Sequence, residues 1–379
     1  MKIIILGIPH TKTTLDYSTC AFTQKTFNLC KMMYERGHEV IHIGVEGSNP
    51  LCTKNINIIN EELFKGYFGG NPGTNFYQTT AEGKFAAYHK LWITNAKRVI
   101  LNNCNKPYST ILAHSWGGSQ AEATKDIPQY RVETGIGYPH TFAPYRVFES
   151  YAWLNFHHGL ENRRDGNRWY DVAIPNGFDI TQFTPVDPCE KEDYLLFIGR
   201  LNEDKGVQIA IDVAKATNHR IKICGQGNPE KYLLNNPHVE YVKPVGVEGR
   251  RTLMAKAKAF LCPTIYTEPL GFVSIEAQLS GTPSITSGFG GLNETVLHGI
   301  TGYICRTFDH FCWAVNNIHM INPRMCRQWT EQQFSIERSA VQYEEYFQMI
   351  LDLNKNGWYE RHPERTNLNW LKSRGIYVV

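Results

Sequence analysis

Glu268 and Glu276 stand eight residues apart in the segment Thr267-Glu268-Pro269-Leu270-Gly271-Phe272-Val273-Ser274-Ile275-Glu276-Ala277-Gln278, which Gly281-Thr282-Pro283 follows shortly. Pro269 and Gly271 predict a tight turn immediately before a helix. The unpaired amides of a helix start, at its positive dipole end, make a seat for a diphosphate. Gly271, Phe272 and Val273 would border that seat. Glu268 falls in the loop beside it, where a carboxylate accepts hydrogen bonds from sugar hydroxyls. Glu276 comes one turn into the helix, within reach of a ribose diol, a recurring arrangement near phosphate-binding helix starts. A second group lies in Phe197-Ile198-Gly199-Arg200-Leu201-Asn202-Glu203-Asp204-Lys205-Gly206-Val207, which is predicted as a strand end, a loop and a helix start. There Arg200 offers a guanidinium fork and Lys205 a point charge, a pair suited to neutralising a leaving diphosphate. Taken singly, the glutamates read equally well as surface charges, and Arg200 and Lys205 as partners of Glu203 and Asp204 in a solvated loop.

Taken together they point further. Residues 264–283 resemble the E-x7-E signature of the retaining glycosyltransferases with two Rossmann-like domains, the group 1 or family 4 enzymes. Residues 197–207 resemble the same family's G-R-L-x-x-x-K-G segment. Val172-Ala173-Ile174-Pro175-Asn176-Gly177-Phe178-Asp179 is similar to its inter-domain signature, with Phe183-Thr184-Pro185 at the usual distance. Ile223-Cys224-Gly225-Gln226-Gly227 resembles its G-x-G turn, Val245-Gly246-Val247 falls where its backbone meets the base, and Thr301-Gly302-Tyr303 matches a late segment. The resemblance covers most of residues 171–303.

It implies an α/β protein of the GT-B kind, with two doubly wound parallel-sheet domains facing a central cleft. It also implies a hexosyl- or pentosyltransferase that moves a sugar from a nucleoside-diphosphate-sugar, with a UDP-sugar favoured, to an acceptor hydroxyl with retention. Glu268, Arg200, Lys205 and His114 would be catalytic. Glu276, Gly271, Phe272, Val273, Gly225, Val245, Gly246 and Gly199 would hold the donor. His114 enters through Ala113-His114-Ser115-Trp116, which resembles a strand-end histidine near the transferred sugar, although a lone histidine is as readily a structural hydrogen-bonder. The first half departs from the family twice. Residues 7–18 lack its paired glycines, and Val132-Glu133-Thr134-Gly135-Ile136-Gly137 lacks a histidine. Tyr17, Ser18, Thr134 and Gly135 are the acceptor-side candidates. No D-x-D and no close Cys/His/carboxylate set occurs, so no cofactor or metal is expected. By resemblance, protein cations replace Mg²⁺, and the leaving phosphate helps deprotonate the acceptor in a front-face displacement.

These residues need scaffolding, and the sequence predicts it. Apolar, β-branched runs at 2–7, 39–44, 110–114, 194–198, 220–224, 239–242, 259–262 and 283–286 alternate with helical patterns. The helices are expected at 23–36, 88–102, 206–216, 250–258, 273–280 and 335–353, and residues 66–83 as a loop. Such alternation argues for parallel sheets with right-handed crossovers. The expected division is 1–178 for the acceptor, 179–192 as linker and 193–345 for the nucleotide-sugar. Residues 346–379 are then a helix end and tail that pack back on the first domain. The aromatic run 138–158 is expected mainly to pack.

A chain of 379 residues exceeds one ordinary core. Its 42% hydrophobic and 20% charged composition is that of a globular protein. The first 178 residues hold 18 basic against 14 acidic side chains, the remainder 21 against 22. That tilt leaves a glycan, a lipid-linked sugar, a small metabolite or a modified nucleobase of DNA open as acceptor. No apolar run approaches the roughly 18 residues of a membrane span, although peripheral membrane contact stays open. The opening residues read as a strand rather than a signal peptide. Ten cysteines without a C-x-x-C suggest free thiols and a cytoplasmic location. A nicotinamide dehydrogenase is disfavoured because no G-x-G-x-x-G follows residues 2–7. A non-catalytic nucleotide- or sugar-binding protein of the same fold is a further alternative, and sugar epimerases and phosphorylases of the same architecture are minor ones.

Overall fold

The computed structural model describes residues 1–17, 19–69, 83–233 and 236–353. The first sheet contains β1 (Lys2–Leu6), β2 (Glu39–Val45), β3 (Lys54–Ile59), β4 (Thr110–His114), β5 (Tyr130–Ile136), β6 (Tyr145–Phe148) and β7 (Asp171–Ala173). The second contains β8 (Tyr194–Ile198), β9 (Arg220–Cys224), β10 (Val239–Val242), β11 (Ala259–Cys262), β12 (Ser284–Ser287) and β13 (Gly302–Cys305). Their orders are β3-β2-β1-β4-β5-β6-β7 and β10-β9-β8-β11-β12-β13. Every pairing between these strands is parallel. Central strands such as β1 are apolar on both faces because helices cover both.

The order places the functional loops. In each sheet the winding reverses beside the first strand, between β1 and β4 and between β8 and β11, and ligands of such sheets bind beyond the carboxyl ends at that reversal. In the second sheet those ends lead into the Arg200–Lys205 loop and the Glu268 turn. In the first, Gln120 braces the reversal. Its amide donates to the Leu6 and Gly7 carbonyls at 3.0 Å each and accepts from the Ser115 and Trp116 amides.

Helices expected at 23–36, 88–102 and 273–280 occur as Ala21–Glu35, Ala86–Asn103 and Phe272–Leu279. Strands β3, β5, β6, β7 and β13 were not expected. β3 is polar and lies at the sheet edge, and β7 has three residues. β6 buries Arg146, a residue that reads as surface until its partners Asp171 and Glu161 are seen. The aromatic run 138–158 divides into β6 and helix Tyr151–Leu160, with Trp153 stacked on Phe156 and Tyr151 exposed. Helix Glu61–Phe68 occupies the start of the expected loop, and residues 70–82 lie outside the described set. Helix Ile336–Leu353 packs on the first sheet from Ile336 onward, whereas the sequence suggested the second domain through residue 345. Phe178 bridges to Ser335, so both crossings between domains lie side by side. The tail after Leu353 is also outside the described residues.

Candidate active site

Two loops converge at the mouth of the second sheet. Asn202 caps the short turn Glu203–Lys205 by accepting from the Lys205 amide, and Gly206 follows at φ +71°. A Cβ on Gly206 would lie 2.0 Å from the Pro263 carbonyl oxygen. Glycine alone allows that approach, and it presses the cationic loop onto the strand-end that leads to Glu268. The Ile265 amide and Thr264 hydroxyl both donate to the Asp204 carbonyl at 2.9 Å, tying the loops together.

The result is a three-residue cluster. Lys205 Nζ donates to Glu268 Oε2 at 2.8 Å and to Tyr266 Oη at 2.5 Å, while Tyr266 Oη donates to the same Glu268 oxygen at 2.5 Å. Burial first, then the adjoining Glu268 carboxylate, push the pKa of the Tyr266 hydroxyl far above its usual value, and the nearby Arg200 charge offsets this only in part. Tyr266 is therefore a neutral donor throughout the physiological range. Arg200 itself is exposed, at the end of β8. Tyr266 was not singled out in the sequence; a tyrosine two residues before a glutamate carries no signal without the loop geometry.

Beside this cluster, Gly271 is the N-cap of helix Phe272–Leu279. Helix geometry leaves the first amides, those of Phe272 and Val273, without intrahelical partners. Glu276 is buried one turn later and accepts from Arg250 Nη2 at 3.1 Å. Gly199 and Gly225 meet backbone to backbone, for a Cβ on Gly225 would fall 1.7 Å from the Gly199 oxygen. Val245 and Gly246 lead into helix Val247–Lys256, where Gly246 is the N-cap. The donor-side residues named from the sequence thus lie around the carboxyl ends of β8, β9, β10 and β11. Among the described residues, no three His, Cys, Asp or Glu side chains are grouped to hold a metal ion.

The first-domain candidates are placed differently. His114 is fully buried; Nδ1 lies 3.2 Å from the Val132 carbonyl and Nε2 2.9 Å from Thr124 Oγ1. Burial pushes its pKa down to about 4. Both nitrogens are committed inside the domain, a structural arrangement. Thr134 is buried and donates to the His114 carbonyl at 2.9 Å, and Tyr17 is buried against Phe64. The Gly135 carbonyl accepts from Lys25 Nζ at 2.9 Å. Ser18 lies outside the described residues. What does face the second domain is Lys25, which the sequence did not suggest. Its buried ammonium contacts Glu149 and lies 4.5 Å from the Phe22 ring centroid and 5.5 Å from that of Phe272. Burial pushes it down toward about 7, against the pull of Cys20 and Glu268. The touching Glu149 carboxylate favours its charged form. Trp116 stands edge-on to both Phe22 and His10, continuing this wall.

Comparison with known proteins agrees with the second-domain geometry. A profile of the glycosyl transferases group 1 family matches residues 180–333. The chain is 33% identical over 152 residues to a glycogen synthase of Mycobacterium tuberculosis (strain CDC 1551 / Oshkosh), covering 36% of each chain. It is 26% identical over 169 residues to the D-inositol 3-phosphate glycosyltransferase of Nocardia farcinica, covering 38% of each. The match therefore spans little more than a third of these relatives. Among solved structures, AviGT4, a glycosyltransferase involved in avilamycin A biosynthesis, superposes with a TM-score of 0.66 at 20% identity. That superposition covers 92% of this chain and 98% of that one. Anabaena Alr3699/HepE in complex with UDP-glucose gives 0.61 at 15% identity, covering 92% and 99%. At such identities the likeness concerns the fold, two parallel α/β sheets in the GT-B arrangement. Residues 180–333 of this chain are thus similar to the glycosyl transferases group 1 family.

Proposed function

We propose that the protein is a retaining glycosyltransferase that takes a sugar from a nucleoside-diphosphate-sugar and needs no metal ion. The observation that carries this reading is the meeting of Lys205, Glu268 and Tyr266 beside the start of helix Phe272–Leu279. A diphosphate seated on the Phe272 and Val273 amides draws Lys205 to itself, with Arg200 on its other side. Glu268, relieved of Lys205, then accepts hydrogen bonds from the sugar, and Tyr266 keeps that carboxylate oriented. Glu276 receives the ribose. Two cations and a helix start stabilise the charge that grows on the leaving group, which is where preorganised groups lower a barrier most. The departing phosphate takes the acceptor proton on the same face. With both ring nitrogens committed, His114 has a structural part.

UDP is the favoured nucleotide, in line with the UDP-glucose held by the similarly folded Anabaena protein. The acceptor is a hydroxyl compound that enters from the first domain. Titrating the protein with UDP, GDP and ADP in EDTA, then following UDP release from UDP-glucose and other UDP-sugars, tests the reading. Micromolar UDP binding that is lost in Lys205→Ala is expected. Equal binding by parent and Lys205→Ala would overturn it.

A further inference from the structure

The two domains touch beside the residue on which the proposed reaction depends most. Residues 149–152 lead from β6 into helix Tyr151–Leu160 and face the turn that carries Glu268. Ser150, the N-cap, accepts from the Trp153 amide and donates through Oγ to the Pro269 carbonyl at 2.6 Å. Glu294, in the short helix Leu292–Thr295 of the second domain, accepts from the Tyr151 and Ala152 amides at 3.0 and 2.8 Å. These are first-turn donors that their own helix leaves unpaired, and a carboxylate is favoured at that end of the dipole.

Both anchors adjoin Glu268. Pro269 is the next residue. Glu294 rides on the Gly290–Gly291 turn, whose Gly291 amide donates to the Glu268 carbonyl at 2.7 Å, while Gly290 forms a bridge with Glu268. Gly290 has φ +65°, and a Cβ there would stand 2.2 Å from the Glu268 carbonyl oxygen. Any other residue would push the turn, and Glu294 with it, away.

We infer that Ser150 and Glu294 are positioning residues: through them the first domain grips the backbone at Glu268 and Pro269 and sets the Glu268 carboxylate only when the domains are closed. The inference rests on the glycosyltransferase reading for its consequence. Its structural content, a clamp between domains, does not. The proposed nucleotide contacts all come from the second domain, so nucleotide affinity is independent of the clamp, whereas the chemical step is not. Coupling closure to the sugar-binding carboxylate also limits attack by water on an open site.

The test uses the full chain with Glu294→Ala, Glu294→Gln and Ser150→Ala. Small-angle scattering of the ligand-free protein reads domain separation, calorimetric titration reads UDP affinity, and UDP release from UDP-glucose into water reads the reaction without an acceptor. Glu294→Ala is expected to enlarge the radius of gyration and keep the Kd for UDP within about twofold. Release should fall at least about tenfold, with kcat changing more than KM. Glu294→Gln, whose amide oxygen still accepts, should recover most of the loss, and Ser150→Ala should show a smaller effect in the same direction. A Glu294→Ala protein as compact as the parent, or one with parental turnover, overturns the clamp. So does a UDP Kd that rises in step with the lost turnover. If the parent itself fails to bind UDP, the functional reading falls, and the scattering comparison still decides the clamp.

Discussion

Lys205 and Glu268, 63 residues apart in the chain, share a hydrogen bond of 2.8 Å, and Tyr266 bonds to both. An ammonium and a carboxylate stored against each other keep both charges compensated until a ligand that needs both arrives. A diphosphate takes the cation and a sugar hydroxyl takes the anion, so neither group is stranded during the exchange.

Replacing either charge should therefore impair the reaction far more than the fold. Lys205→Ala and Glu268→Ala are each expected to lower turnover of UDP-sugar by about 10²–10³-fold, the usual loss for one preorganised electrostatic group. Far-ultraviolet circular dichroism should match the parent. Turnover within threefold of the parent in either variant would remove the assignment.

Tyr266→Phe deletes one hydroxyl and leaves the Lys205–Glu268 pair. A hydrogen bond to a charged group contributes roughly 1.5–3 kcal/mol, so kcat should drop by about one to two orders of magnitude. Because the Tyr266 hydroxyl stays protonated, the pH profile between 6 and 9 should keep its shape. A lost alkaline limb would mean that Tyr266 titrates.

The Lys25–Glu149 pair is buried, so Lys25→Met leaves a carboxylate without its counter-charge. Urea unfolding should report a destabilisation of about 3–5 kcal/mol, and Lys25→Met with Glu149→Leu should restore most of it. A double variant no more stable than the single one would show that packing, not charge, holds the site.

His42 and His114 are buried, and burial pushes each down to about 4. The unfolded chain binds protons on these rings below about 6.5 while the folded chain stays neutral, so stability is lost as pH falls from about 6.5 to about 4. Each ring accounts for up to about 3 kcal/mol of that loss. Comparing denaturant midpoints at pH 7 and 5 for the parent and His114→Gln checks this: the variant should show the shallower decline. Equal slopes would mean that the ring is protonated in the folded state.

Much of the second domain was legible because its signals are local. Apolar runs bounded by glycine and proline predicted β8, β9, β10 and β11 within a residue, and the turn at Pro269–Gly271 predicted the helix start that follows. β3 and β7 escaped because edge strands need not be apolar. β6 escaped because its buried Arg146 is explained only by Asp171 and Glu161, which lie elsewhere in the chain. His114 is a different case. Its position at a strand end suggested chemistry, yet the fold commits both its nitrogens internally.

From its order of residues the chain determined the two wound sheets, the helix start flanked by Glu268 and Glu276, and the cations of the 200–205 loop, since each depends on neighbours within about a dozen positions. Only the tertiary structure decided that Tyr266 joins Lys205 to Glu268, that Lys25 pairs with Glu149, and that Ser150 and Glu294 hold the turn from the other domain. These contacts join segments tens to more than a hundred residues apart, and hydrogen bonds of 2.5–3.0 Å exist only once the strand order has brought those segments within reach.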